Sequence, residues 1–239
     1  MNTMSHQLAP LVVMIGRLRS TIRLAAAKGA SLSPIRTRYG LRTCHRSRTR
    51  TREARGTMST EKTVQRLGKL CADRAYVKIE RSISGAEVLH GFVLGHSREL
   101  VLLHAVRDFH LDGYAIVRVR DIEAVRCGRH EQFFLRMLRS EGVVREVGLA
   151  NRVSLTNMSS ALKALAHEDR IISVECETDD DEVFYAGKVR GMKGKSVELR
   201  TFDALGAWDA KPDMIETALI TLVSWDTEYL RVFAKHLRT

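Results

Sequence analysis

Two short stretches decide the fold: Tyr76-Val77-Lys78-Ile79-Glu80 and, 95 residues later, Ile171-Ile172-Ser173-Val174-Glu175. In each, apolar side chains alternate with polar ones, the period-two signature of a strand with one face in a core and one in water. The stretches are copies of one another, and the copying extends outward. His90-Gly91-Phe92-Val93 with Gly95 is matched by Ala186-Gly187-Lys188-Val189 with Gly191, and Val101 and Leu103 by Val197 and Leu199. After a longer loop in the second copy, Ile122 and Val125 match Ile220 and Val223. Both copies close on an aromatic-bearing helical segment, with Phe133, Phe134 and Leu138 in one and Tyr229, Phe233 and Leu237 in the other. Self-similarity in a fixed order of elements marks an internal repeat.

Each copy opens with a helical pattern. Val64, Leu67, Leu70 and Cys71 recur at three- and four-residue spacing in the first; Leu162, Leu165 and Ala166 do so in the second, after the caps Asn157 and Ser159. Five strands follow per copy, predicted at about 75–82, 87–95, 98–105, 113–119 and 121–126, with counterparts from 171 to 224. Gly91 and Gly187 fall in mid-strand, where glycine marks a bulge or bend that helps a short sheet curl. The expected fold is mainly β with flanking helices, as two tandem five-stranded Sm-like or SH3-like barrels. The expected organisation is a basic leader over 1–57, a first module over 58–142, a linker over 143–157 and a second module over 158–239.

A leading helix followed by five short, bent strands with a glycine in the second resembles the Sm-like small-barrel family, here as a tandem duplication. The resemblance covers most of 60–126 and 158–224. That family includes ring-forming proteins and RNA chaperones, which place an Asp, an Asn and a later Arg-Gly pair around a uridine pocket. The Asp position falls here on Ser97 or Lys193, and the Asn position on Val101 or Val197. The later segments read Arg120-Asp121-Ile122 and Ala218-Leu219-Ile220. The resemblance thus implies the fold and a capacity to assemble, without the family's RNA pocket, since function lives in sites rather than folds.

The charge is divided sharply. Residues 1–57 hold twelve Arg or Lys against the single acid Glu53, while from Met58 onward 27 basic residues balance 27 acidic ones. The net charge of +11 therefore belongs to the leader and says nothing about the repeat. Three readings of the leader stand open: an upstream extension before a start at Met58, a disordered tail that binds phosphates, or an Arg- and Ser-rich transit peptide. Within the repeat, the first half carries 15 bases against 12 acids and the second 12 against 15. That mild opposition favours docking of the halves or head-to-tail association. Cys44, Cys71, Cys127 and Cys176 show neither zinc-ligand spacing nor disulfide density, which fits a reducing, cytoplasmic setting. No apolar run approaches the roughly 18 residues of a membrane span.

Four groups of residues are candidates for function. Trp208 and Asp209, in the loop that only the second copy has, would anchor a protein partner or fold back over the barrel. Arg118, Arg120, Arg126 and Arg129 form the best basic patch and would meet nucleic-acid phosphate, although Asp121, Glu123 and Glu131 are interleaved and no row of exposed aromatics is legible beside them. Asp108, His110 and Asp112 alternate in a loop, with His96 and His104 nearby, and are weak candidates for a metal or acid–base site. Asp179 to Glu182 read as a hairpin turn. No Gly-rich phosphate loop, GxSxG elbow or HExxH occurs. The sequence therefore points to a non-enzymatic binding or assembly module that recruits a protein or a second copy of itself, with no cofactor. Nucleic-acid binding is the alternative, and a metal-dependent enzyme the distant one. Trp225 is expected to pack under the closing helix.

Overall fold

The repeat is laid out strand by strand in the computed structural model, which describes residues 59–148, 152–179 and 181–238. The leader lies outside the described residues. Helix α1 (Thr60–Ala72) is followed by β1 (Tyr76–Arg81), β2 (Leu89–His96), β3 (Leu100–Arg107), β4 (His110–Arg118), a single 3-10 turn and β5 (Ile122–Arg126), then α2 (Arg129–Ser140). The second copy runs α3 (Met158–His167), β6 (Ile171–Glu177), β7 (Glu182–Lys193), β8 (Ser196–Thr201), β9 (Asp213–Glu216), β10 (Leu222–Trp225) and α4 (Glu228–Ala234). Asn157 caps α3 by accepting a hydrogen bond from the Ser160 amide at 2.9 Å, as the sequence suggests.

The two copies match in register. Val77 faces Gly91 and Ile172 faces Gly187; Val93 faces Leu103 and Val189 faces Leu199. Both second strands carry a register shift at the same place, between Val93 and Gly95 and between Val189 and Gly191. The bulge therefore lies beyond Gly91 and Gly187 rather than at them. Those two glycines serve close approach: a methyl group on Gly91 would collide with the His104 carbonyl oxygen, and one on Gly187 with that of Arg200.

Among the described residues the architecture is mainly β, with four α-helices, and it differs from two separate barrels. All ten strands form one open antiparallel sheet in the order β5-β1-β2-β3-β4-β10-β6-β7-β8-β9. Each copy keeps the same internal order, its fifth strand beside its first. The copies are fused where β4 takes β10 as its neighbour, with Val117 opposite Leu222, Ile116 opposite Val223 and Ala115 opposite Ser224. Because β4 is satisfied by the other copy, it has no need to close on its own β5. The sheet ends in β5 on one side and β9 on the other.

The main core straddles this junction. Leu100, Leu102 and Ile116 of the first copy pack with Leu162, Leu165, Ile172, Val223 and Trp225 of the second. Leu222 in turn reaches the core of the first copy, among Val101, Val117 and Ile122. Trp225 ends β10 and stacks on Tyr114 across the junction at 5.1 Å, rather than lying under the closing helix. Tyr114 is stacked in turn on His104 at 4.5 Å. Burying apolar surface is worth about 25 cal/mol per Å², and here side chains of both copies bury it in one shared cluster.

Candidate functional site

The places where this molecule offers something to a partner are best found by asking which polar groups the fold has already used. Arg118 and Arg120 are used. At the end of β4, the buried Arg118 donates through Nε to the Ile220 carbonyl at 2.7 Å and through Nη2 to that of Thr217. Arg120 donates to the Ala218 carbonyl at 3.0 Å. Both guanidiniums therefore tie the first copy to the β9–β10 connection of the second. Burial holds the Arg118 guanidinium below its ordinary value, the Arg120 charge adding to the effect.

Arg126 lies at the end of the edge strand β5, where Glu80 accepts from its Nε and Nη2 at 3.1 and 2.9 Å. Arg129 is exposed at the start of α2. Of the four arginines, Arg118 is thus buried in the junction, while Arg120, Arg126 and Arg129 are exposed. The junction also holds an ion pair that sequence reading missed. Arg81, at the end of β1, forks onto Glu177, at the end of β6, with both side chains buried. Thr221 donates a further hydrogen bond to Glu177 at 2.6 Å. Arg81 looks like a solvated strand end in the sequence, and only the β4·β10 pairing brings Glu177 to it.

Trp208 folds back. Its ring meets Phe202 edge-on at 5.5 Å, and the Arg200 guanidinium sits 5.2 Å from its centroid. Asp209 accepts from the Thr201 hydroxyl at 2.8 Å. Asp108 occupies the turn between β3 and β4 with φ +45°. Asp112 accepts from the Glu228 amide at 2.6 Å and pairs with Arg107 at 3.1 Å, which joins β4 to the start of α4. His110 is exposed. Among the described residues, no three His, Cys, Asp or Glu side chains gather closely enough to hold a metal ion. Asp179 accepts from the Ser84 amide at 2.9 Å, so the acidic turn rests on the β1–β2 loop of the other copy. Burial pushes the Cys176 thiol up to about 11, helped by Glu177 and Glu175, which keeps it protonated and a poor nucleophile.

Among the described residues, two surfaces with exposed apolar side chains bear on binding. One is the pair of sheet edges, β5 and β9. On β9, Met214 is 49 % exposed, and Leu219 beyond it is 57 % exposed. The other is the outer face of α2. Its inward stripe is Glu131, Leu135 and Leu138, which leaves Phe133 and Phe134 facing out. Phe109 from the β3–β4 turn stacks on Phe134 at 5.6 Å, and the Arg136 guanidinium lies 5.5 Å from the Phe133 centroid. Arg129, His130 and Arg139 are exposed on the same helix. Adjacent phenylalanines on a helix point about 100° apart, so a narrow inward stripe cannot take both; that spacing was the legible signal of an exposed aromatic.

Comparison with protein-family models, with curated proteins and with solved structures gives no match to this chain. No helix among the described residues is long and apolar enough to cross a membrane.

Proposed function

We propose that the chain is a non-enzymatic assembly module, built from two Sm-like or SH3-like units opened into one sheet, that recruits protein by strand addition at its free edges. The observation that carries this reading is the β4·β10 junction. There the edge of one unit has been completed by the edge of another, while the corresponding edges β5 and β9 stay without a neighbour among the described residues. An exposed strand edge with an apolar side chain such as Met214 on it is a template for pairing, and natural sheets either block such edges or use them. Neither edge strand contains proline. The reading is tested by placing a photo-crosslinking side chain at Met214 and, as a control, at Ala204 in the full chain inside cells. Covalent protein adducts at Met214 and none at Ala204 are expected. Adducts at Ala204 alone, or none at either position, would sink the proposal.

The nucleic-acid reading keeps one observation in its favour, and it has moved from the arginine patch to α2. Exposed Phe109, Phe133 and Phe134 beside Arg129, Arg136 and Arg139 supply the stacking faces and cations that single strands take. Fluorescence-anisotropy titration of single-stranded RNA discriminates the two. Binding by the repeat that steepens as salt falls, and that Phe133→Ala weakens, would favour this second reading.

A further inference from the structure

Among the described residues, the exposed phenylalanines gather at one place, the outer side of α2. At about 100° per residue, Arg129, Phe133, Arg136 and Ser140 fall along the line opposite the buried stripe of Glu131, Leu135 and Leu138. Phe134 lies on one shoulder of that line, with Phe109 of the β3–β4 turn stacked on it, and Arg139 lies on the other. The result is an apolar strip with arginines along its rim.

The charge on this ridge is left over. Glu131, the only acid of α2, is buried, and its carboxylate accepts from the Gly128 amide at 2.6 Å. Arg129, Arg136 and Arg139 are exposed and make no ion pair among the described residues. Asp108 in the turn and Glu141 past the helix lie nearby in the chain and pair with none of the three. Arg107 and Arg126, by contrast, are held by Glu87 and Asp112 and by Glu80. Unpaired cations beside apolar rings ask for a partner that is anionic at its surface and apolar underneath.

Shape and ring orientation decide which partner that is. A stacked base takes a whole ring face. Phe109 and Phe134 have given a face to one another, with planes 8° apart, and the Arg136 guanidinium lies 5.5 Å from the Phe133 centroid. The set therefore presents ring edges rather than a run of open platforms. α2 sits outside the sheet, its buried stripe against Tyr76 and Phe92, so the ridge is convex and offers no groove to a peptide. A second copy of the ridge would bring arginines against arginines. A lipid surface is flat and deformable, takes arginines at its phosphates and admits ring edges to the acyl boundary.

We propose that the outer face of α2, with the β3–β4 turn, docks on an anionic lipid surface. Phe109, Phe133 and Phe134 enter the boundary between headgroups and acyl chains, and Arg129, Arg136 and Arg139 meet the phosphates. The contact is peripheral and uses neither sheet edge, so it stands or falls apart from strand addition at β5 and β9.

The test is cosedimentation of the full chain with vesicles of phosphatidylcholine alone and of phosphatidylcholine mixed with phosphatidylglycerol. Every chain compared carries the same basic leader, so its attraction to the vesicles is common to all and the differences report on α2. Wild type should prefer the mixed vesicles. Phe133→Ser with Phe134→Ser should weaken that binding by at least about tenfold. Arg136→Gln and Arg139→Gln should each weaken it by about fivefold. Phe133→Trp should bind at least as tightly as wild type, and Leu205→Ser, an exposed apolar side chain of the second copy, should change nothing. Should the double serine chain melt below wild type, the two arginine variants carry the test. Wild-type, double serine and arginine chains that bind alike overturn the inference, because the leader then accounts for the binding. A wild-type chain that ignores both kinds of vesicle overturns it too. If Phe133→Ser weakens binding of single-stranded RNA and leaves vesicle binding unchanged, the ridge belongs to nucleic acid and the inference fails.

Discussion

Ile116 and Met214 occupy the same place in the two copies, yet one is sealed and the other stands half in water. Val117 and Ile215 also share a place, and there both are buried, as are Ile122 and Val125 of β5. What differs is the neighbour. β4 has been completed by another unit and β9 has not, so Ile116 is sealed while Met214 is half exposed. The side chains at matching positions differ between the joint and the open ends. The junction acquired Arg118, which binds two carbonyls of the other copy, and the Tyr114–Trp225 stack; the open ends hold Glu216, Pro212 and Cys127 at those positions. A sealed joint gathers aromatic and buried ionic contacts, while an open one keeps charges that water can still solvate.

Breaking the sealed joint should have the largest effect. Glu177→Ala strips the partner from a buried Arg81 guanidinium and from the Thr221 hydroxyl. Removing one member of a buried pair costs about 3–5 kcal/mol, because the other charge stays buried without compensation. Urea unfolding of Glu177→Ala should therefore show a midpoint far below wild type. Replacing Arg81 and Glu177 together by Met and Leu should lose much less, since no uncompensated charge remains. A Glu177→Ala chain within about 1 kcal/mol of wild type would mean that water reaches the joint.

The elements of this fold were legible in the sequence, and their assembly was not. Periodicity and the matched glycines located the five strands of the first copy to within a few residues and bounded those of the second as a group, because alternation is a local property of the chain. The joining of β4 to β10 depends on which of two equivalent edges each strand finds, and equivalent copies carry the same local signal for both choices. Arg118 therefore read as part of a solvent-facing patch when it is a buried clasp, and Trp225 read as a helix-packing residue when it is a stacking partner for Tyr114. Phe133 and Phe134 were visible as aromatics, but their exposure depends on how narrow the inward stripe of α2 is. Gly91 and Gly187 were correctly singled out, for a reason that only the neighbouring strand supplies.

A second contrast between the copies concerns pH. Burial holds the His104 imidazole below its ordinary value, and burial followed by the Lys78 charge does the same for His90. The second copy has Arg200 at the position of His104. With the folded value depressed, the unfolded chain takes up its proton first as pH falls. Stability is then full above the unfolded-state value near pH 6.5, and declines as pH drops through it toward the lower folded value. Chemical unfolding at about pH 7.5 and pH 5.5 should show this loss, and His104→Phe, which keeps a ring against Tyr114, should shrink it. An unchanged slope would mean that the imidazole titrates as freely as it does in the unfolded chain.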